Sequence, residues 1–319
     1  MSKVSASPRG TFTGEVLANE QVCDGHYRLI LDVPHFPPSR PGQFVQLQCR
    51  YPGEREGVHV VEWPPGQAPK FTQAELTDRE PFLRRPLSLA GRREHARGAV
   101  ELDILYRTSG TGTAWLAGVT PGKSLSVLGP LGNAFPIEPN KPAAALIGGG
   151  VGIPPMLYLA AALQAAGKKT VAFNGSRSSC LLPLRLLPAG KVRPDGQPSH
   201  CIAEFAACDV DAGVATDDGS LGFAGLVSRP FEAWLNQQRQ PERDLVVYTC
   251  GPEPMMKAVA DLCLSRNVQC YLSLERHMAC GMGTCQSCVC KIKSDAPQGW
   301  AFKLCCTDGP VFDARTVVW

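Results

Sequence analysis

The chain has 319 residues, of which 44% are hydrophobic and 19% charged, which is ordinary usage for folded domains and argues against wholesale disorder or a fibrous repeat. Its length suggests two domains, or two domains plus a small appendage. The 32 lysines and arginines nearly balance the 29 acidic residues and leave a net charge of +3, so the basic footprint that nucleic acids require is missing and we expect no nucleic-acid partner.

The N-terminal part has the pattern of a small antiparallel β-barrel or sandwich. Short alternating runs separated by glycine and proline occur from Thr11 to Gln48 and from Arg85 to Leu128. The clearest are Phe44–Gln48, Glu101–Tyr106 and Ser124–Leu128. Between the two regions, Tyr51–Phe82 is rich in glycine, proline and charge with little periodicity, which predicts a surface insertion.

From Lys141 the pattern changes to apolar strands that alternate with helices. The predicted strands are Ala143–Ile147, Thr170–Phe173, Cys201–Phe205 and Leu245–Thr249, and the predicted helices cover residues 155–166, 226–238 and 253–266. Such alternation predicts a parallel sheet with helices on both faces, as in Rossmann-like domains. Leu187–His200 contains three prolines and two glycines and is expected to loop out.

No membrane segment is expected. Pro142–Gly167 carries no charge and is long enough to span a bilayer, but glycines and prolines interrupt its middle. A buried strand, a glycine-rich turn and a helix explain it better. Met1–Gly10 contains no apolar segment of the kind a secretory signal needs, which predicts a cytoplasmic protein.

The tail holds an unusual concentration of cysteine: seven of the 14 cysteines lie between residues 270 and 306. Three follow the spacing C-x4-C-x2-C and a fourth comes eighteen residues later, as in plant-type 2Fe-2S proteins. The predicted metal ligands are Cys280, Cys285, Cys288 and Cys306. A zinc knuckle is the alternative, but such sites usually repeat C-x2-C in pairs. The tail has few large side chains, so we expect its folding to need the metal.

The fourth ligand has a close competitor, because Cys305 and Cys306 are adjacent and Cys290 lies nearby. Adjacent side chains of an extended chain point in opposite directions, so one of the pair should face the cluster. We predict Cys306, and we interpret Cys305 and Cys290 as packing thiols.

Two glycine-containing turns predict a dinucleotide site. In Leu146–Met156 a strand runs into four glycines and then a helix, which brings backbone N–H groups and the helix dipole to one point where a pyrophosphate can bind. A turn kept only for close packing is the alternative. The second turn, Cys250–Pro252, ends a later strand. Ligands of open parallel sheets bind beyond the carboxyl ends of the strands, so both turns should open onto one crevice.

The barrel half carries Arg85-Pro-Leu-Ser88, followed by Gly110-Thr-Gly-Thr113. Arginine offers a planar fork to phosphate, and a serine two residues after a proline can hydrogen-bond the edge of a flavin ring. A solvated arginine at a strand end is the alternative.

Taken together, these motifs resemble the ferredoxin-NADP reductase superfamily and, within it, the electron-transfer subunits of NAD-linked dihydroorotate dehydrogenases. The resemblance covers nearly the whole chain outside the segments 51–82 and 187–200. It implies an antiparallel FAD-binding barrel over residues 1–139, a Rossmann-like NAD-binding α/β domain over 140–274 and a small 2Fe-2S module over 275–319.

The resemblance also implies site residues. Ser88 and Cys250 become catalytic candidates. FAD would be held by Arg85, Pro86, Leu87, Ser88, Gly110, Gly112 and Thr113, and NAD(H) by Gly148, Gly149, Gly150, Gly152, Gly251 and Pro252. Leu87 departs from the family pattern, which has an aromatic residue there to stack on the flavin.

The implied function is electron transfer. Nicotinamide exchanges electrons as a hydride pair and an iron-sulfur cluster exchanges them singly, so a flavin must connect the two. The implied partner is an FMN-containing dihydroorotate dehydrogenase catalytic subunit, in a heterotetramer that makes orotate for pyrimidine biosynthesis. One alternative is a ferredoxin- or sulfide-linked NAD(P)H oxidoreductase, in which Arg177 would pair with a 2'-phosphate. Another is a non-catalytic zinc or redox-sensing module.

Overall fold

A computed structural model of the chain describes residues 9–52, 61–62, 64–67, 70–71, 81, 83–95 and 98–319. Most of the predicted insertion at 51–82 lies outside the described residues. Within it the structure has a short antiparallel pair, β4 (Val61–Glu62) with β5 (Lys70–Phe71).

Six antiparallel strands close into a barrel in the order β1-β2-β7-β6-β3-β8, as the alternating runs predict. Their bounds are β1 Gly10–Cys23, β2 His26–Asp32, β3 Phe44–Leu47, β6 Arg85–Glu94, β7 Val100–Arg107 and β8 Ser124–Leu131, with helix α1 (Thr111–Ala117) between β7 and β8. Alternate residues such as Leu29, Leu31 and Val45 are fully buried inside the barrel. Each such side chain stabilises the fold by about 1.5–3 kcal/mol.

A seven-stranded sheet follows in the order β12-β11-β10-β9-β13-β14-β17. Its strands are β9 Ala143–Gly149, β10 Lys169–Ser176, β11 Asp211–Thr216, β12 Phe223–Ala224, β13 Leu245–Cys250, β14 Gln269–Ser273 and β17 Val311–Asp313. All neighbours pair in parallel except β14 with β17. The predicted parallel sheet is therefore confirmed, and its last strand is antiparallel.

Helices cover both faces of this sheet. They are α2 Ile153–Ala165, α3 Ala203–Ala206, α4 Ser228–Leu235, α5 Pro241–Asp244 and α6 Glu253–Leu264. The buried residues of α2 and α3 share one apolar cluster, and those of α4 and α6 share the other. In the described part of the chain, each helix is too short or too polar to cross a bilayer.

The predicted strand Cys201–Phe205 is wrong. Ile202 forms only an isolated bridge, after which α3 begins at Ala203, and the third strand of the sheet is Asp211–Thr216. Ile202 and Phe205 are both buried at a three-residue spacing, which suits a helical turn. The sequence Asp-Ala-Gly-Val-Ala-Thr of β11 contains small residues, which made it a weak strand signal although it is buried between β10 and β12.

The expectation that Leu187–His200 loops out is also wrong in part. Ser199 forms an antiparallel bridge with Ala212, and a Cβ added to Gly213 would lie 2.1 Å from the carbonyl oxygen of Gly196. The segment therefore packs tightly onto β11 at a position where only glycine leaves room.

The C-terminal tail packs against both the barrel and the large sheet. Strands β15 (Val289–Lys293) and β16 (Trp300–Leu304) form a hairpin, and β17 joins the large sheet. The tail's buried cysteines belong to the same apolar cluster as Phe44 of the barrel and Leu272 of the sheet. Cysteines thus supply core volume where the tail lacks larger apolar residues.

Asn133, at the end of the barrel, anchors the tail. Its Nδ2 donates to the carbonyls of Val311 and Asp308 at 2.8 and 3.0 Å, and its Oδ1 accepts from the Val311 N–H at 2.9 Å. We expect Asn133→Ala to lower the free energy of unfolding by about 1–3 kcal/mol, because partly buried backbone groups lose their partners. Denaturant unfolding of the cofactor-loaded protein measures this loss. Asn236→Ala, on the surface, should cost at most about 0.5 kcal/mol, and equal losses would contradict the anchoring role.

Candidate functional site

The two glycine-containing turns meet at the carboxyl edge of the parallel sheet. Gly148 is paired with Cys250 on the neighbouring strand. A Cβ on Gly152 would lie 2.1 Å from the Cys250 carbonyl oxygen, and one on Gly251 would lie 3.0 Å from the Gly149 nitrogen. The structure therefore brings together the turn residues that the sequence singled out, and their backbones touch because no side chain separates them.

This edge carries the beginnings of two helices. A short 3-10 turn, Gly150–Gly152, leads into α2, whose first turn contains Pro154 and Pro155. Pro252 precedes α6. A Cβ on Gly150, where φ is +53°, would meet nothing within 4 Å, so the backbone borders open space there. Backbone N–H groups at a helix N-terminus facing open space fit a pyrophosphate.

Cys250 lies at the same edge as a neutral thiol. Burial raises its pKa to about 12, although a hydrogen bond with Ser273 opposes the shift. At neutral pH the side chain is therefore protonated and cannot act as a thiolate nucleophile. A small neutral group suits contact with an uncharged ring better than contact with a phosphate. A catalytic role for Cys250 stays a prediction.

In the barrel half, Arg85 lies against the turn that starts α1. A Cβ on Gly112 would be 2.6 Å from Nε of Arg85, so the guanidinium rests directly on the turn backbone. Thr113 holds the turn in shape, because its Oγ1 accepts from the N–H groups of Ser109 and Gly110 at 2.8 and 3.3 Å. A cation beside a glycine turn fits the pyrophosphate of a dinucleotide such as FAD.

The neighbouring Arg84 has a different role. Its guanidinium donates to the carbonyl oxygen and the hydroxyl of Ser126 at 3.0 and 2.8 Å, and to the Gln46 carbonyl at 3.4 Å. Burial lowers its pKa. Arg84 therefore ties barrel strands together, whereas the Arg85 guanidinium donates through one nitrogen to the local carbonyls of Leu83 and Arg84 and leaves its other N–H groups for a ligand.

Ser88 shares an outward face of the barrel with Phe44. The two residues are paired across β3 and β6, and Gln46 is paired with Pro86 two residues further along. Val45 belongs to the barrel core, while Phe44 packs with the sheet and the tail. The face that carries Ser88 therefore looks toward the rest of the molecule, and Leu87 packs on the barrel core instead.

The four predicted cluster ligands form two neighbouring pairs, Cys280 with Cys285 and Cys288 with Cys306. Backbone amides reinforce both pairs: the Cys285 N–H donates to Sγ of Cys280 at 3.3 Å, and the Cys306 N–H donates to Sγ of Cys288 at 3.4 Å. Two thiolates for each iron are what a two-iron cluster needs. Among the described residues, no group of three or more His, Cys, Asp or Glu side chains is arranged to hold one metal ion. The agreement of this site with a two-iron cluster therefore depends on the two pairs of thiols.

The thiols differ in acidity. A hydrogen bond from Ser287, with further bonds from the cysteine loop, lowers the pKa of the exposed Cys285 to about 6. Burial, together with the nearby Cys288 thiol, raises the pKa of Cys306 to about 12. Cys285 is therefore ready to bind a metal as a thiolate, whereas Cys306 gives up its proton when the metal binds.

The Cys305 and Cys290 thiols are engaged by backbone carbonyls. The Cys305 thiol is fully buried and donates to the Leu274 carbonyl at 3.0 Å, and the Cys290 thiol donates to the Lys303 carbonyl at 3.4 Å. Both lie in the apolar core. This geometry supports Cys306 as the fourth ligand.

Gln46 is a residue at this site that the sequence did not reveal. Its alternation with Val45 and Leu47 suggests a solvent-facing side chain, yet Gln46 is completely buried beneath the cysteine loop. Its Nε2 donates to the Ala279 carbonyl at 3.4 Å. Only the packing of the tail onto the barrel shows this contact.

Arg177 also has neighbours that sequence reasoning missed. The turn after β11, residues 217–220, carries Asp217 and Asp218 and is called the acidic turn below. It approaches Arg177, since the Asp217 N–H donates to the Ser176 carbonyl and the Asp218 N–H to the Arg177 carbonyl, both at 3.1 Å. The acidic turn follows Arg177 by about 40 residues in the chain, so only the parallel pairing of β10 with β11 places the two side by side.

Comparison with known proteins matches residues 275–318 to the iron-sulfur cluster binding domain of dihydroorotate dehydrogenase B. The chain is 42% identical, over 80% of its length and 86% of the relative, to the electron transfer subunit of dihydroorotate dehydrogenase B (NAD(+)) from Geobacillus kaustophilus. It is 31% identical to the subunit of that name from Caldanaerobacter subterraneus subsp. tengcongensis, over 97% of this chain and 99% of the relative.

Solved structures share the fold. An NADH-dependent reduced ferredoxin-NADP oxidoreductase that performs flavin-based electron bifurcation superposes with a TM-score of 0.69 at 24% identity, covering 96% of this chain and 90% of that one. The ferredoxin reductase of carbazole 1,9a-dioxygenase gives a TM-score of 0.56 at 20% identity, covering 82% and 68%.

Proposed function

Because the chain belongs to the family of dihydroorotate dehydrogenase B electron transfer subunits, we propose that it carries electrons between NAD and a catalytic partner subunit by way of FAD and a 2Fe-2S cluster. The partner is an FMN-containing subunit that oxidises dihydroorotate to orotate, and two copies of each chain form a heterotetramer. The observation that carries the proposal is the contact between the cysteine loop and the outward barrel face beside Ser88.

The division of labour follows the three parts of the chain. The barrel, residues 1–139, would hold FAD, with Arg85 and the turn at Gly110–Thr113 on its pyrophosphate. The α/β part, residues 140–274, would hold NAD(H) beyond the turns at Gly148 and Gly251. The tail, residues 275–319, would hold the cluster through two pairs of thiols. Flavin, when bound, supplies the chemistry that converts a hydride pair into single electrons.

The protein's own residues set the geometry of this exchange. Contact between the backbones of Gly152 and Cys250 would limit where the nucleotide lies. Cys250 adds no charge to this nucleotide site, because its thiol stays protonated at neutral pH. Ser88 lies on the outward barrel face that it shares with Phe44, where its hydroxyl would hydrogen-bond a flavin edge.

Exposure of the cysteine loop suits transfer to a partner. Cys285 is exposed, and Met282 in the same loop is 52% exposed. Electron transfer requires short distances, so a partner that receives or supplies electrons would dock at this loop.

The acidic turn beside Arg177 favours NAD over NADP. Asp218 is held by the hydroxyl of Ser220 at 2.6 Å, and this bond lowers its pKa, so it is ionised at neutral pH. Carboxylates accept from ribose hydroxyls and repel a 2'-phosphate. The NADP-linked alternative depends on Arg177, whose backbone carbonyl accepts from the Asp218 N–H of this turn at 3.1 Å.

An anaerobic absorbance titration of the purified protein tests the proposal. We expect flavin bands with a long-wavelength iron-sulfur shoulder, and we expect both to bleach with substoichiometric NADH and at least about tenfold more slowly with NADPH, a preference equivalent to about 1.4 kcal/mol. Faster bleaching with NADPH would support the NADP-linked reductase. A colourless protein that contains zinc would leave the non-catalytic binding module.

A further inference from the structure

The buried amide of Gln46 lies between the barrel strand that carries the flavin motif and the loop that carries the first cluster ligand. Gln46 is paired with Pro86 across β3 and β6. On its other side, a Cβ added to Gly281 would lie 2.7 Å from both Cδ and Nε2 of Gln46. The side chain therefore touches the backbone on both sides of Cys280, since Nε2 also donates to Ala279.

This amide is not placed there for stability alone. Its Oε1 is buried without a hydrogen-bond partner among the described residues. An orphaned buried oxygen costs free energy that an apolar side chain of the same size would not cost. Buried polar groups without partners are expected at functional positions, where the site needs the polar group although it lowers the stability of the fold.

We propose that Gln46 is a positioning residue that holds the Ala279–Gly281 backbone against the flavin-binding face and so fixes Cys280 and tunes the cluster. The proposal rests on the function proposed above. Outer partners of metal ligands orient the ligand and control metal affinity. Hydrogen bonds and polarity around the sulfurs also set the reduction potential of an iron-sulfur cluster.

The test is Gln46→Met in the full-length protein, because methionine keeps the length and volume of the side chain and removes both polar atoms. We expect FAD content and iron content at wild-type levels. Resistance to denaturant should equal or exceed that of the wild type, because the unsatisfied buried oxygen is gone. We also expect about tenfold faster release of iron to a chelator, and an altered electron paramagnetic resonance spectrum and midpoint potential of the reduced cluster.

Gln48→Met is the matched control. Gln48 lies two residues along the chain and bonds Arg84 instead of the cysteine loop, so its replacement should leave iron release and the cluster spectrum unchanged. Wild-type iron release together with a wild-type spectrum in Gln46→Met would overturn the proposal.

Gln46→Asn separates the amide from simple packing. Asparagine keeps the polar group but retracts it from Ala279 and leaves a small void. If asparagine impairs the cluster while methionine does not, Gln46 only fills space and the proposal fails. If Gln46→Met does not bind FAD, wild-type iron release in Gln46→Asn is the overturning result. A wild-type protein without iron or flavin would instead refute the proposed function itself.

Discussion

Cys306→Ala is expected to remove the 2Fe-2S cluster while FAD stays bound. The Cys306 thiol is paired with Cys288, and its loss leaves one iron with a single thiolate. Replacing a mere outer partner of a metal ligand costs about 10–100-fold in affinity, so loss of the ligand itself should exceed that range. Iron and acid-labile sulfide assays, with the flavin absorbance as internal reference, measure the result.

Cys305→Ala is the matched control for this prediction, because it makes the same change one residue away. The Cys305 thiol donates to Leu274 inside the core, so its removal should lower the free energy of unfolding by about 1–3 kcal/mol. The cluster should remain. Loss of iron in Cys305→Ala with retention in Cys306→Ala would reverse the ligand assignment.

Arg85→Ala is expected to release FAD and leave the cluster in place. Hydrogen bonds from a charged donor contribute about 1.5–3 kcal/mol each, so loss of one such bond to the FAD pyrophosphate weakens binding at least about tenfold. The Arg85 guanidinium lies directly on the Gly112 backbone. Flavin retained after gel filtration, relative to iron, measures the effect.

Arg84→Ala serves as the control for Arg85→Ala. Arg84 bonds Ser126 and Gln46 within the barrel, so its removal should reduce resistance to denaturant and keep a near-normal ratio of FAD to protein. Equal flavin loss in both variants would show that barrel damage, and not a lost phosphate contact, explains the result for Arg85→Ala.

Local patterns predicted most of the elements correctly, because strand alternation and helix periodicity depend on near neighbours. The strand expected at Cys201–Phe205 is the exception, because a short helix forms there instead. Its residues are apolar enough for a strand, but the sheet instead takes the small residues of Asp211–Thr216 as its third strand. Which of the two segments becomes the strand depends on how well each packs beside β10. A short stretch of sequence does not contain that information.

The sequence by itself determined the three cofactor motifs, because each depends on short spacings: four glycines at a strand-to-helix turn, an arginine before a proline, and cysteines at C-x4-C-x2-C. Only the tertiary structure decided that the Cys306 N–H donates to the Cys288 thiol, that the acidic turn reaches the Arg177 backbone, and that Gln46 is buried beneath the cysteine loop. The physical reason is the same in each case. These contacts join segments distant in the chain, and their formation depends on how the barrel, sheet and tail pack.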